Sequence, residues 1–253
     1  MAAIGTCRRI HGEGGVAEVE WRDWLGTLQP PVLSISDLLD ARQRLVVISP
    51  HPDDEILTCG GLIALHAQRG GTVAIVAVTD GEASHRGDLS WTAERLAEAR
   101  RLERRRGLLR LGVGADAVSR LCLLDGQVAT DAARLEQALL SRLQPTDCVV
   151  STWRLDGHPD HDATGATAAR VCGILGCRLL EAPVWMWHWS ETNDPRVPWH
   201  RLRTLELPRE TLQGKVAALA EHTTQLSARA LHPPVLGAAI LARAARRSEY
   251  FLV

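Results

Sequence analysis

Val46-Val47-Ile48-Ser49-Pro50-His51-Pro52-Asp53-Asp54-Glu55 decides the fold of this chain. Leu45 to Ser49 is apolar almost throughout, as a parallel strand buried on both faces must be, and predicts the first core strand. Behind it Ile56, Leu62, Ile63 and Leu65 recur at helical spacing and predict a helix over 55–69. Gly60-Gly61 inside that helix costs on the order of 1 kcal/mol per glycine. Close backbone packing is the expected reason. Between strand and helix sits a dense packet of histidine and carboxylates.

Working outward, apolar runs at 72–79, 121–124, 147–152 and 178–184 predict further strands. Helical patterns at 91–111, 130–143 and 161–175 lie between them, with Thr130 or Asp131 as an N-cap candidate. This alternation predicts an α/β fold, Rossmann-like, with three α/β/α layers and a mostly parallel sheet joined by right-handed crossovers. Ligands of such folds bind outside the carboxyl ends of the strands. The His/Asp packet, Asp80-Gly81-Glu82, a second packet at Asp156-Gly157-His158-Pro159-Asp160-His161 and the run Trp185-Met186-Trp187-His188-Trp189 all begin at strand ends. Beyond Pro198 the pattern predicts a strand at 203–207, helices at 209–226 and 235–246, and a closing strand at 249–253. Residues 1–44 read as an N-terminal arm packing on a domain of residues 45–253. Gly12-Glu13-Gly14-Gly15 is loop material, Trp21, Trp24, Leu25 and Leu28 have helical spacing, and a short helix over 36–44 has Ser34 or Ser36 as its cap. The two tryptophans either pack the arm down or cover the substrate cleft.

The 253 residues carry a formal net charge of −1, with 45% hydrophobic and 23% charged content. That suits one sizeable globular domain and gives no global field for nucleic acid or an anionic membrane. Arg100-Arg101 and Arg104-Arg105-Arg106, with Glu98 and Glu103 nearby, read as a solvated helix face. The six cysteines form no CxxC pair, and most lie in apolar segments, as expected of free thiols in a reducing cytosol. No apolar run is long enough to span a bilayer and the N-terminus lacks an apolar signal core, so a cytoplasmic location is expected.

Singly, each histidine or carboxylate of the packets has an ordinary reading, Asp53 as the cap of the following helix among them. Together they suit a divalent metal. His51, Asp54 and His161 would supply two imidazoles and a carboxylate to zinc, leaving a position open for water. Fe2+ or another divalent ion could take the same donors. Asp53 is then free to deprotonate the water, His158 to hydrogen-bond the oxyanion or protonate the leaving amine, and Asp160 to fix a histidine tautomer.

Pro50-His51-Pro52-Asp53-Asp54-Glu55 and His158-Pro159-Asp160-His161, in this order, resemble the LmbE-like, PIG-L family of zinc-dependent N-deacetylases. Thr79-Asp80-Gly81-Glu82, Arg100-Arg101-Leu102-Glu103 and Ser248-Glu249-Tyr250-Phe251 add to the likeness over roughly residues 45–253. The resemblance implies metal ligands at His51, Asp54 and His161, a general base at Asp53, and assistance from His158 supported by Asp160. It also implies a small-molecule N-acylated amino-sugar substrate, of the N-acetylglucosaminyl kind. The thiol-precursor branch carries a Tyr just before its second motif; here Trp153-Arg154-Leu155-Asp156-Gly157 fills that place. Arg154 either grips a substrate hydroxyl, phosphate or carboxylate or pairs with a neighbouring acid. Arg86 is a sugar contact by family precedent or part of a mobile surface loop. Trp153, Trp187 and His188 are candidate substrate contacts, and the Trp run either lines a groove or packs on the sheet. Lys215 and His222, seven apart on one helix, read as structural. A deacylase of a long-chain or non-sugar amide and a non-catalytic ligand-binding module are the rivals; the lack of GxGxxG after the first strand argues against a dinucleotide. A homo-oligomer is possible.

Overall fold

The computed structural model describes residues 15–229 and 233–253; residues 12–14 of the glycine-rich loop and Cys7 lie outside these. Among the described residues one seven-stranded sheet has the order β3-β2-β1-β4-β5-β7-β6. Its strands are β1 Leu45–Ser49, β2 Val73–Ala77, β3 Val118–Arg120, β4 Cys148–Thr152, β5 Arg178–Ala182, β6 Leu202–Glu206 and β7 Ser248–Leu252. The first five run parallel. The closing strand β7 slips between β5 and β6, antiparallel to both.

Alternation along β1 sorts the core into two layers. Leu45 and Val47 join a cluster with helix α3 (Asp54–Gln68), while Val46 and Ile48 join another with α5 (Ala132–Leu140) and α6 (Pro159–Leu175). A strand apolar at every position serves both layers. Strand order reverses at β1, between β2 and β4, so the crevice beyond its end lies between the β1 and β4 loops, which carry the two packets.

Several elements depart from the sequence reading. The third strand is 118–120, because Cys122 takes φ +53°, which breaks the extended run. Leu121 and Leu123 still face the core and donate to Ala77 and Val78 oxygens at 2.8 and 3.0 Å. The predicted helix 209–226 breaks into α8 (Arg209–Leu219) and α9 (Thr223–Leu226), and that at 36–44 is one turn, α2 (Ile35–Leu38), capped by Ser34. Helix α3 is kinked at Cys59. There Glu249 accepts from the freed Gly61 and Leu62 amides at 2.7 and 2.9 Å and pairs with Lys215 at 2.6 Å. A Cβ at Gly61 would sit 2.4 Å from Leu207, so close approach does require that glycine.

The basic run corrects the sequence reading. On α4 (Ala93–Arg110) Arg100, Glu103 and Arg104 are buried on the face shared with Leu96, Ala97 and Leu108. A guanidinium is tolerated there because oxygens meet most of its fork, leaving Arg100 Nε and Arg104 Nη1 unpartnered. Arg104 meets Glu55 and Ser49, and Glu103 accepts from Thr223 and Thr224, capping α9. Only Arg105 and Arg106 are on the fully exposed side.

At the other edge α1 (Glu18–Leu28) lies on the domain. Trp21 is wholly buried, its indole N–H donates to Trp187 O at 3.2 Å, and its ring meets Trp187 edge-on at 5.1 Å. Burying such a ring is worth on the order of 3 kcal/mol. Val32 then forms a parallel bridge with Thr204 of β6. No described helix is long and apolar enough to cross a membrane.

Candidate metal and catalytic centre

The β1–α3 loop turns sharply. Asp53 takes φ +124°, a conformation that L-residues other than glycine adopt only under strain of order 1–3 kcal/mol. Arg100 holds it: its guanidinium donates to Pro52 O at 2.7 Å, Gly81 O at 2.9 Å and Asp53 Oδ2 at 3.1 Å. A Cβ at Gly81 would fall 2.0 Å from that guanidinium. Asp53 makes no side-chain cap bond, so its carboxylate is turned from helix capping to Arg100.

The β4–α6 loop is locally relaxed. His158 is the N-cap of α6, its Nδ1 accepting from Asp160 N at 3.2 Å, and Pro159 begins the helix. Gly157 N donates to Asp162 at 2.8 Å.

The two loops meet at Asp54 Oδ2. His51 Nδ1 lies 3.0 Å from it and His161 Nε2 3.2 Å, with all three residues buried. Each imidazole turns its other nitrogen to carboxylates: His51 Nε2 is 3.2 Å from both Asp125 and Asp160, and His161 Nδ1 2.8 Å from Asp156. Histidines that ligate metals are oriented in this way. His161 Nε2 is fully buried and makes no hydrogen bond, as fits a lone pair reserved for a cation. Two other groupings could hold a metal, His51-His158-His161 and His51-Asp125-Asp160. In the second, backbone amides of Ala83, Gly126 and Val128 already occupy the carboxylates. In the first, the cap bond on His158 Nδ1 leaves Nε2 as its available nitrogen. The donors of His51, Asp54 and His161 make a third set of two imidazoles and a carboxylate, with Asp54 Oδ2 also accepting from the His51 backbone amide at 2.9 Å.

Electrostatics separates the adjacent carboxyls. Burial lifts Asp53 to about 7, against the pull of Arg100 and with the Asp54 charge adding to it. Asp54 is held well below the usual carboxylate range: burial opposes this, but His161 and His51 prevail. Burial likewise opposes charge on His161, yet Asp54 and Asp156 raise it to about 9. Burial lowers His158 to about 3, helped by the charges of its two histidine neighbours.

The other candidates are spread more widely. Asp160 is at the centre, but its carboxylate faces His51 rather than His158. Arg86 is exposed at the rim, its guanidinium over Gly126, where a Cβ would approach within 3.0 Å. Arg154 donates from Nε and Nη2 to both oxygens of buried Glu181 at 2.7 and 2.8 Å, which is the pairing alternative. Trp153 is 2% exposed and Trp187 4%, both in the aromatic cluster with Trp21, so neither ring is open to a ligand. The Trp run is one helical turn, α7 (Met186–Trp189), from which Met186 and Trp187 pack against Leu202, Tyr250 and Leu252 of β6 and β7, the packing alternative. His188 is buried beside Arg243, Nδ1 3.5 Å from its Nη1.

Four residues of the centre were not among the sequence candidates. Arg100 was hidden in the basic run. Asp125 and Asp156 were visible only as carboxylates at strand ends. Trp185 stacks on His158 with centroids 6.5 Å apart and planes at 24°.

Comparison with known proteins places this centre. A PIG-L family model, described as GlcNAc-PI de-N-acetylase, matches residues 46–172, half of the chain, with both packets inside the match. The 1D-myo-inositol 2-acetamido-2-deoxy-alpha-D-glucopyranoside deacetylase 1 of Saccharopolyspora erythraea is 31% identical over 244 residues, covering 74% of this chain and 79% of that protein. Two solved structures share the fold. The N,N'-diacetylchitobiose deacetylase of Pyrococcus horikoshii aligns at TM-score 0.57 and 20% identity, over 83% of this chain and 80% of its own. The zinc-inhibited form of teicoplanin deacetylase Orf2 aligns at 0.59 and 19%, over 73% and 85%. With these likenesses on both sides of the His/Asp centre, the chain belongs to the PIG-L family of de-N-acetylases.

Proposed function

We propose that this chain removes the acetyl group from an N-acetylated amino sugar, an N-acetylglucosaminyl-type glycoconjugate or natural-product intermediate. One observation carries the reading: His51 Nδ1 and His161 Nε2 converge on Asp54 Oδ2 while the adjacent Asp53 is kept out of the set by Arg100. The relatives supply the substrate class, an acetamido sugar.

His51, Asp54 and His161 would hold the ion, zinc by preference. When bound, it polarises the amide carbonyl and lowers the pKa of a water toward ~7. Asp53 receives the proton of the attacking water on its carboxylate. Burial lifts that carboxyl, and the charge of a bound ion would draw it back toward the carboxylate form that accepts the proton. Arg100 fixes the carboxylate in place. The cap bond on His158 Nδ1 leaves the ring proton on Nε2, where it can donate to the developing oxyanion. Asp125, Asp160 and Asp156 orient His51 and His161. Of the tryptophan-rich run, Met186 and Trp187 are buried, and Trp185, part-exposed beside His158, is the ring placed to meet an acyl group.

The test is acetate release by zinc-loaded protein over a panel of N-acetylated sugars and longer N-acyl analogues, with and without chelator. Chelator-sensitive acetate release from an acetamido sugar is expected. Release of longer acids alone, or turnover indifferent to chelator, would overturn the reading.

A further inference from the structure

Behind the metal-ligand set lies a half-open cavity of about 40 Å³, walled by Thr58, Val184, Trp187 and three cations, Lys215, Arg243 and Arg246. It is too small for a sugar ring and has room for one or a few waters or a compact ion. Two of the cations have acids: Lys215 pairs with Glu249 at 2.6 Å, and Arg246 with Glu18 at 2.8 Å. Arg243 has no carboxylate partner among the described residues. It is 8% exposed, its Nε has no partner, and its two contacts are long, His188 Nδ1 at 3.5 Å and Val16 O at 3.4 Å. Burial, with Arg246 adding and the charge of Glu18 opposing, lowers it to about 10. A buried, unpaired guanidinium is unfavourable unless an anion meets it. Residues 1–14 and 230–232 contain one acid, Glu13.

We propose that this cavity is an anion site in which Arg243 receives a compact oxyanion, a carboxylate or a phosphoryl group. The planar fork suits two oxygens of such a group, and the three cations, counted with Glu249 of the lining and Glu18 beside Arg246, leave one positive charge in excess. The ion would be coupled to the catalytic centre. Thr58 Oγ1 donates to Asp54 O at 2.6 Å, and Val184 N donates to Asp156 Oδ1 at 2.9 Å, so two cavity walls also brace the residues around His161. The oxyanion is either a free ion or a substituent of the substrate.

The probes are acetate and inorganic phosphate, added to the metal-loaded protein at constant ionic strength. Tryptophan emission, with Trp187 in the wall, and the melting temperature are followed. Since a metal centre also takes oxyanions, the readout is the difference between wild type and Arg243→Gln. Wild type is expected to show a saturable emission change and a rise of about 3–6 °C at tenfold excess over the dissociation constant. Arg243→Gln loses that part of the response. Ala244→Leu, which fills the cavity and keeps Arg243, loses it too and serves if the Gln variant does not fold. Glu13→Gln retains it. The source is assigned by a further arm, which alone rests on the proposed deacetylation. A KM raised about tenfold in Arg243→Gln for N-acetylglucosamine 6-phosphate, but not for N-acetylglucosamine, assigns the site to the substrate's own phosphate; unchanged KM for both assigns it to a free ion. An equal response in wild type, Arg243→Gln and Ala244→Leu overturns the proposal. So does a response that appears only in Glu13→Gln, since Glu13 would then be the internal partner of Arg243.

Discussion

The two loops that build the metal centre reach the same point by opposite means. The β4–α6 loop is held by its own neighbours: an N-cap at His158, a proline at the first helical position and a Gly157–Asp162 bond. The β1–α3 loop is held from outside, by a guanidinium 47 residues away in sequence that fastens a strained Asp53. The loop that presents the proposed base therefore depends on one distant clamp, while the other is formed locally at its helix end and fastened at Asp156 to the amides of Val184, Trp185 and Met186. Strain at the reacting group, offset by a distant clamp, is how functional sites commonly keep a geometry that the local chain does not favour.

Seven variants break or sharpen this contrast. The largest effect is expected for Asp53→Asn, which should lower turnover about 10³-fold while elemental analysis still finds the metal; near-normal turnover would remove Asp53 as the base. Next comes Arg100→Met. It leaves Pro52 O, Gly81 O and Asp53 without their donor and should reduce unfolding free energy by about 3–5 kcal/mol in denaturant titrations. The matched change in the other loop, Asp162→Ala, should cost about 1 kcal/mol, and equal losses would erase the distinction.

Acid sensitivity should lie on the same side as the clamp. His222 is fully buried with neither ring nitrogen bonded, and burial, offset in part by Glu55, lowers it to about 4. Its folded pKa lies below the unfolded value, so the unfolded chain binds the proton first. Stability is then lost as pH falls from about 6.5 toward 4, by on the order of 3 kcal/mol. His222→Leu should shrink that loss in melting curves across this window, and an unchanged acid slope would reassign it. A smaller effect is expected for Asp156→Asn, which weakens the orientation of His161: metal affinity should fall about 10–100-fold by competition with a chelating dye. Smallest is the strain itself. Asp53→Gly should be more stable than Asp53→Ala by about 1 kcal/mol, because only glycine relaxes at φ +124°.

Much of the fold was legible because the parallel strands are short apolar runs separated by helical patterns. Errors fell where charge was taken as a sign of exposure. Arg100 and Arg104 lie in a run that reads as solvated, and nothing local distinguishes them from Arg105 and Arg106. What buries them is the presence of Asp53, Glu55 and backbone oxygens supplied by another element. The tryptophan run was ambiguous for a related reason. Its spacing allows a strand or a turn of helix, and the choice is set by Asp156, which accepts from the amides of Val184, Trp185 and Met186.

The sequence by itself determined the layered α/β plan, the place of the site at the strand ends and the residue types that suit a divalent metal. Periodicity and motif chemistry are properties of neighbours in the chain. Tertiary structure decided which nitrogen of each histidine faces Asp54, which carboxylates orient the rings, and that Arg100 holds Asp53 apart. The His51–Asp160 and Arg100–Asp53 contacts rest on distances of about 3 Å between residues 109 and 47 positions apart, which no local pattern encodes.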